Sequence, residues 1–500
     1  MAATERTVFP VGRRGRPASG LLHVPRLVAT ALLLLCLSAG FGAVLVQRAS
    51  IVHPLVAVCL GTGLVVLAIT KPRSGIAAML YLLPLLALAR RLLIPFGGWH
   101  PTDPLIVIGP LVALVLINEA RPLRLPRSPL ASAIVALLAV TALESLNPDG
   151  GGLKPGVYGF VYTAAPVLWF FAGRKLADAR LVASILRAVV VLAIPLGVYG
   201  LAQSRLGLPS WDAAWLQVTN YNSLHVGTAL RGFATFSSST EYAVYLGIAA
   251  TIALAFLLHG QVLWVVALPF LAYAMVYEGI RGVAATTVAA IVAVVALRTR
   301  RPLPAIAVAA VGVAAVVLAF RSYAPGLAAQ AQASGDPILQ HQVNGFVHPL
   351  NPDQSSFLTH WRLFVDGLKA VPSSPLGAGS GATNLAGARF GGITSSTEID
   401  VTNEFVNLGI VGGVLYAGIV LLTLKHALSL ALRRGGPLFI AAAGMLIVTI
   451  TQWLNPGFYA VAPLVWFTIG WIDRESAEPE TAPARESTGP LEGRLSAPRS

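Results

Sequence analysis

Charged residues are scarce in this sequence. Only 11% of the 500 residues are Asp, Glu, Lys or Arg, whereas 56% are hydrophobic; a soluble globular chain carries about 25% charged residues. So few charges cannot cover a soluble surface, which excludes a soluble enzyme, a disordered chain and a nucleic-acid-binding module. The apolar runs are continuous rather than alternating, which excludes a transmembrane β-barrel.

Cysteine is also scarce, and the common cofactor motifs are missing. The two cysteines, Cys36 and Cys59, both lie in apolar runs and indicate no disulfide framework. The sequence has no Walker motif, no dinucleotide-binding fingerprint and no His, Cys, Asp or Glu grouping with metal-ligand spacing. We therefore expect no metal, no cofactor and no nucleic-acid partner.

Long apolar runs take the place of these features. A membrane span needs about 20 apolar residues, and the sequence offers fourteen candidates, two of them short. The predicted fold is all-α: a polytopic membrane protein of about 12–14 transmembrane helices with a large extracytoplasmic loop that contains an amphipathic helix. The candidate spans are 27–46, 51–70, 75–89, 104–118, 129–146, 157–172, 181–201, 241–258, 262–277, 282–297, 303–320, 404–424, 436–453 and 457–472.

The basic residues predict an orientation. With the N-terminus placed inside, most lysines and arginines fall in cytoplasmic segments, as the positive-inside rule requires. The net charge of +14 is then an orientation signal rather than the mark of a polyanion partner. We expect a multi-pass protein of the cytoplasmic (inner) membrane with both termini cytoplasmic.

This topology divides the chain into seven parts. Both polar ends are rich in Ala, Pro, Ser and Arg and are predicted to be disordered. The parts are a cytoplasmic N-terminus (1–26), N-terminal transmembrane helices (27–201), an extracytoplasmic loop (202–240), transmembrane helices (241–320), a large extracytoplasmic loop (321–403), C-terminal transmembrane helices (404–472) and a cytoplasmic tail (473–500).

The large loop is too long to be a simple connector. Within it, residues 355–369 read as an amphipathic helix, because Phe357, Trp361, Phe364 and Leu368 recur at helical spacing. We expect this helix to lie on the membrane surface or to roof a cavity that opens outward. The glycine-rich turn at 377–381 that follows fits either a plain chain reversal or a backbone cradle for phosphate.

Ionisable residues gather at the outer ends of the spans. Charges at membrane depth are costly and tend to mark functional cavities. The alternative is that each arginine reaches to lipid headgroups, or that two of the glutamates pair with the two arginines. The residues concerned are Glu144, Glu241, Glu278, Glu404, Arg231 and Arg281.

Four motifs in order resemble those of the O-antigen ligase and polymerase superfamily, membrane glycosyltransferases of the GT-C type. The resemblance covers about residues 200–472. The motifs are Arg231-Gly232-Phe233-Ala234-Thr235-Phe236, Arg281-Gly282-Val283-Ala284, Arg362 ahead of Pro375-Leu376-Gly377-Ala378-Gly379, and Asn403-Glu404-Phe405-Val406-Asn407-Leu408-Gly409-Ile410-Val411-Gly412.

The resemblance implies the activity. Such enzymes transfer a glycan from an undecaprenyl-pyrophosphate donor to a sugar hydroxyl on the outer face of the cytoplasmic membrane, with inversion and without a metal. It also implies that Arg231 and Arg281 bind the donor pyrophosphate, with Arg362 as a third. Expected partners are the undecaprenyl-pyrophosphate-linked glycan, the lipid bilayer and polysaccharide-assembly or chain-length proteins.

One departure from the family pattern concerns the base. Ligases carry a histidine just before the asparagine of the last motif, where this chain has Thr402. A polymerase therefore fits better than a ligase, and the general base stays open. The candidates, in falling order of preference, are Asp400, Glu404, Glu241 and His360.

Two other classes remain as alternatives. A transporter or flippase of lipid-linked oligosaccharides would suit fourteen spans, but such proteins usually have internal repeats and charges at the membrane midplane. The sequence shows no repeat and few charges within its spans. A membrane scaffold without chemistry is the third class.

Overall fold

The computed structural model describes residues 52–100, 102–119, 128–219, 224–226, 229–299, 302–348, 350–351, 357–384, 387, 390, 396–455 and 457–477. The predicted disordered N-terminus, the first expected span (27–46) and the tail after residue 477 lie outside these residues.

The described chain is almost entirely helical, with one antiparallel hairpin of β1 (His225–Val226) and β2 (Ala229–Leu230). The α-helices are α1 (Val52–Thr70), α2 (Pro72–Leu92), α3 (Ile94–Gly97), α4 (Ile108–Glu119), α5 (Pro129–Glu144), α6 (Leu153–Leu176), α7 (Ala179–Leu206), α8 (Ser210–Thr219), α9 (Ser239–Leu257), α10 (Ala267–Glu278), α11 (Arg281–Arg298), α12 (Pro302–Ala333), α13 (Pro337–Val347), α14 (Phe357–Ala370), α15 (Asp400–Arg434), α16 (Pro437–Val448) and α17 (Val461–Ala477).

Many of these helices could cross a membrane. Seven helices among the described residues are long and apolar enough, and each expected span from 51–70 to 457–472 overlaps a helix. This confirms the all-α class and supports a membrane protein, while the span count and the orientation stay predictions. The seven are α1, α2, α6, α7, α9, α11 and α15; four shorter apolar stretches are Pro104–Glu119, Pro129–Glu144, Val262–Glu278 and Pro437–Val448.

The closest helix pair is α6 with α17, and glycines make it possible. A Cβ at Gly173 would lie 2.0 Å from the carbonyl oxygen of Phe467, and one at Gly470 would lie 2.0 Å from that of Phe170. The two backbones therefore touch directly, as small residues allow between membrane helices. Both helices are well buried at this contact, which makes the pair a central support of the bundle.

Helix α15 is broken at Gly409, whose φ of 65° and ψ of −161° are not helical. The glycine-rich turn crosses the break. There the N–H of Ala378 donates to the carbonyl of Val406 (2.8 Å), and the N–H of Gly379 donates to that of Asn407 (3.1 Å). These carbonyls would otherwise lose their partners at the break, so the turn replaces part of the helical hydrogen bonding.

The same turn packs against the junction of α5 and α6. Ser380 donates from its N–H to the carbonyl of Glu144 (3.3 Å) and from its hydroxyl to that of Gly156 (2.7 Å). A phosphate cradle needs uncommitted N–H groups, and those of residues 378, 379 and 380 all donate to backbone carbonyls. The turn is therefore a structural crossing rather than a phosphate cradle.

Helices occupy much of the expected large loop (321–403). Helix α12 continues to Ala333, well past residue 321, and α15 begins at Asp400 rather than at 404. The loop between them carries α13 and α14. Helix α14 packs through its buried Gly367, where a Cβ would lie 2.6 Å from Cγ2 of Thr397, and it leaves Trp361 and Leu368 exposed.

The α6–α17 contact generates a stability prediction. Gly470→Ala should lower the free energy of unfolding by about 2–3 kcal/mol, because the new methyl group must push two backbones apart. The measurement is the thermal unfolding midpoint of the purified protein in detergent. Gly418→Ala on α15 is the matched control, since a Cβ there meets nothing within 4 Å. Equal midpoints for the two variants would contradict the prediction.

Candidate functional site

Arg231 and Arg281 converge on one residue, His341 of α13. Nη2 of Arg231 lies 3.2 Å from the ring Nε2 of His341, and Nη1 of Arg281 donates to the His341 carbonyl at 3.3 Å. Arg231 follows strand β2, and Arg281 is the first residue of α11. The fold therefore brings together the two arginines that the resemblance singles out.

Helix α13 covers the arginine pair. A Cβ at Gly345 would lie 0.9 Å from Nη1 of Arg281, so the guanidinium occupies the space that any other residue would fill. Nε2 of Gln342 donates to the carbonyl of Val276 on α10 (3.1 Å). Asp336 caps the start of α13 and forms an ion pair with Arg205 at the end of α7 (3.2 Å).

The electrostatics of His341 show how strongly the two cations act. Burial first, and then the charges of Arg281 and Arg231, together lower the pKa of His341 to about 4. The imidazole is therefore neutral near pH 7 and offers its Nε2 lone pair to Arg231. In this structure a neutral ring nitrogen and a carbonyl oxygen lie against guanidinium groups that are well suited to an anion.

A buried network fixes the backbone just after Arg231. Oε1 of Gln203 accepts from the N–H groups of Phe233 (3.0 Å) and Ala234 (2.7 Å). The carbonyl of Ala234 accepts from Gln203 (3.1 Å) and from Arg91 (2.7 Å). Ala234 has φ of 45°, which an alanine rarely adopts, and these hydrogen bonds hold it there.

Thr235 extends this network into helix α2. Pro84 lies inside α2, and its carbonyl accepts the Thr235 hydroxyl (2.5 Å), while the N–H of Leu88 donates to the Thr235 carbonyl (3.0 Å). Leu88 would ordinarily donate to Pro84 in a continuous helix. The 231–236 segment is therefore inserted into the hydrogen bonding of α2, which fixes its position in the bundle.

Sequence reasoning missed two buried arginines at the end of α2. Arg91 lies 3.3 Å from Asp212, whose other oxygen accepts from Tyr199 and Gln203. Arg90 lies 3.4 Å from Asp103 and over the ring of Trp99. Consecutive arginines at the end of an apolar run were the available signal, because such residues are rarely buried without partners.

Helix α14 carries two residues of the predicted site, His360 and Arg362. His360 forms an ion pair with Glu398, and the charge of Arg281 acts on its imidazole. The hydrogen bond with Glu398 raises the pKa of His360, and the same bond lowers the pKa of Glu398. Arg362 is exposed and lies about 200° around the helix from His360, so its binding to the pyrophosphate stays a prediction.

Glu241 lies on α9 and stabilises the beginning of α17. Its buried Oε1 accepts from the N–H groups of Ala460 (2.8 Å) and Val461 (3.3 Å). A carboxylate at a helix N-terminus satisfies N–H groups that have no partner within the helix and complements the helix dipole. These contacts give Glu241 a structural role, away from the arginine pair.

Asp400 and Glu404 are buried together in the first turns of α15. Oδ2 of Asp400 accepts from the N–H of Leu454 (2.7 Å) and from the hydroxyl of Tyr416 (3.2 Å). The negative charge of Asp400 acts on Glu404, whose Oε2 has no hydrogen-bond partner among the described residues. Asp400 therefore ties the start of α15 to the turn before α17.

Within the described ranges, no group of three or more His, Cys, Asp or Glu residues could hold a metal ion. Comparison with models of known protein families and with curated proteins found no match. The resemblance to the O-antigen superfamily therefore stays a prediction from the sequence motifs.

The network around Ala234 generates a second prediction. Gln203→Leu removes the acceptor for two buried N–H groups and a donor to Asp212, so the free energy of unfolding should fall by about 2–3 kcal/mol. Thermal unfolding in detergent measures this loss. The control is Gln217→Leu on α8, whose side chain is exposed. A Gln203→Leu midpoint within error of the Gln217→Leu midpoint would refute the assigned role.

His341 generates a third prediction, on pH. The unfolded chain protonates this residue near pH 6.5, whereas the folded protein does so near pH 4. Between these values the unfolded state binds more protons, so His341 lowers stability as pH falls from 6.5 to 4. His341→Gln, which keeps an acceptor near the Nε2 position, should lose stability less steeply over this range. Parallel curves of unfolding midpoint against pH for the two proteins would exclude this effect.

Proposed function

We propose that the chain is a membrane glycosyltransferase that polymerises, or ligates, oligosaccharide units from an undecaprenyl-pyrophosphate donor on the outer face of the cytoplasmic membrane. The convergence of Arg231 and Arg281 around His341 carries this proposal. Paired guanidiniums bind a diphosphate bidentately and keep their charge at any physiological pH.

The chemistry gives the arginine pair its role. A hydroxyl of the acceptor sugar attacks the anomeric carbon, and the bond from that carbon to the diphosphate oxygen breaks. The bond electrons stay on the leaving polyprenyl diphosphate, which gains negative charge. Arg231 and Arg281 stabilise that growing charge, and in poorly hydrated surroundings such stabilisation is worth more than in water.

The surroundings of the pair support a donor that arrives from the lipid phase. In the proposed topology of 12–14 spans, α13 and α14 lie in an outer loop next to the membrane. The exposed apolar residues Trp361 and Leu368 of α14 suit a helix at the membrane interface. On donor binding, the diphosphate oxygens take the places of the His341 ring nitrogen and carbonyl on the two guanidiniums.

A polymerase fits better than a ligase. At the position of the ligase histidine, Thr402 is buried and forms hydrogen bonds with Thr397 (2.5 Å) and the carbonyl of Ile399 (3.0 Å). These contacts are local to the start of α15 and leave Thr402 no part in proton transfer.

The proposal predicts the effect of removing each arginine. Arg231→Ala and Arg281→Ala should each reduce polymer formation by about a hundredfold or more, because each removes a charged donor to the leaving diphosphate. Lysine at either position should retain part of the activity. Gel analysis of surface polysaccharide in cells, and of products made from lipid-linked donor by the purified protein, measures the effect.

Two controls sharpen this experiment. Arg298→Ala changes the last residue of the helix that Arg281 begins, and it should leave polymer length unchanged. Arg362→Ala should cause a smaller loss than the other two, because its side chain is exposed away from the pair. Full-length polymer from both Arg231→Ala and Arg281→Ala would contradict the site assignment. If the wild-type protein made no polymer from donor in detergent, the result would favour a flippase over an enzyme.

A further inference from the structure

The corner between α10 and α11 carries a second ionisable residue. Glu278 ends α10, Gly279 turns the chain with φ of 80°, and Arg281 begins α11. A Cβ at Gly279 would lie 3.4 Å from Nε of Arg231, so the corner passes directly beside that guanidinium. A buried carboxylate and both arginines are therefore close together at one place in the fold.

The Glu278 carboxyl group is buried without a hydrogen bond. It is 1% exposed, and among the described residues neither of its oxygens has a hydrogen-bond partner. The charge of Arg231 acts on it. Burying a carboxyl group without hydrogen bonds reduces the free energy of unfolding. Glu278 is therefore a candidate for a functional role.

The side chain of Gln342 also has a buried acceptor atom without a hydrogen-bond partner. Oε1 of Gln342 is buried and has no partner within the described chain, while its Nε2 donates to the carbonyl of Val276, two residues before Glu278. Buried polar groups are ordinarily satisfied. Three uncommitted acceptor atoms next to Arg231 indicate a place for hydroxyl donors, which a sugar supplies.

The other acid–base candidates are less free to accept a proton. Glu241 and Asp400 already accept hydrogen bonds from backbone N–H groups. Glu404 lies with Asp400 at the start of α15. The ring Nδ1 of His360 is already engaged by the carboxylate of Glu398.

We infer that Glu278 accepts the proton of the attacking sugar hydroxyl, an assignment that rests on the proposed function. In this step the acceptor oxygen forms a bond to the anomeric carbon as the bond to the diphosphate breaks. The electron pair of that bond leaves with the polyprenyl diphosphate, and the hydroxyl proton moves to the Glu278 carboxylate. The resulting carboxylic acid then returns its proton to water when the product leaves.

Access to Glu278 is coupled to the donor. In the absence of donor, α13 lies over this corner through His341 on the arginines and Gln342 on α10. When the diphosphate binds the guanidiniums, it replaces the contacts of His341, while Gln342 and Asp336 still hold α13. The acceptor hydroxyl then reaches the carboxylate through the space that His341 leaves.

Glu278→Gln tests the assignment, because it preserves size and removes the base. Binding of undecaprenyl pyrophosphate to the purified protein in detergent should be as tight as in the wild type or tighter, since a negative charge beside the arginines is lost. Polymer formation from lipid-linked donor should fall by about a hundredfold or more. Glu119→Gln, at an exposed glutamate that ends α4, is the matched control and should retain activity.

The outcomes separate this inference from the proposed function. Wild-type turnover in Glu278→Gln would overturn the inference, and so would a loss of donor binding as large as that of Arg231→Ala, which would make Glu278 a support for the arginine. If the wild type neither binds the diphosphate lipid nor makes polymer, the proposed function itself fails.

A second variant covers the case in which Glu278→Gln does not fold. Glu278→Asp keeps a carboxylate but withdraws it by one methylene group. Donor binding should stay at the wild-type value, while turnover should fall at least about tenfold because proton transfer depends on close contact. Wild-type turnover in a folded Glu278→Asp protein would also overturn the inference.

Discussion

Two guanidinium groups held side by side in poorly hydrated surroundings repel each other, and much of the structure around them follows from that constraint. Arg231 and Arg281 can share one place only if neighbouring groups offset their charge. In the described structure the acceptor atoms of His341 and the carboxyl group of Glu278 contribute to this. In the proposed function, a diphosphate would offset the two charges far better.

The scaffold must also keep Arg231 from moving away from its partner. The amide of Gln203, the guanidinium of Arg91 and the insertion of Thr235 into α2 all hold the few residues after Arg231. Buried polar groups hold this backbone in addition to the apolar packing of Phe233 and Phe236. Such groups are costly in a membrane protein, and their concentration beside one arginine is a strong indication that its position matters.

The helices and the placement of the two arginines at span ends could be predicted from the sequence, because both depend on the local pattern of apolar and charged residues. Apolar runs of span length predict helices wherever they occur, and Arg231 and Arg281 were recognisable as charges at neighbouring span ends. The partners of Glu241 and Asp400 could not be predicted, because they lie 219 and 54 positions away. The break at Gly409 is equally hidden, since it depends on a turn that arrives from another part of the chain.

The position of α13 has a consequence for the order of events in catalysis. If Glu278 were open to solvent before the donor bound, a buried base beside two cations would be hydrated and weakened, and water could compete with the acceptor sugar. With α13 held by His341, the proposed base stays covered in the described structure. In the proposed reaction, donor binding would therefore precede acceptor binding, and the contact of His341 with the arginines would keep water from the base until the donor arrives.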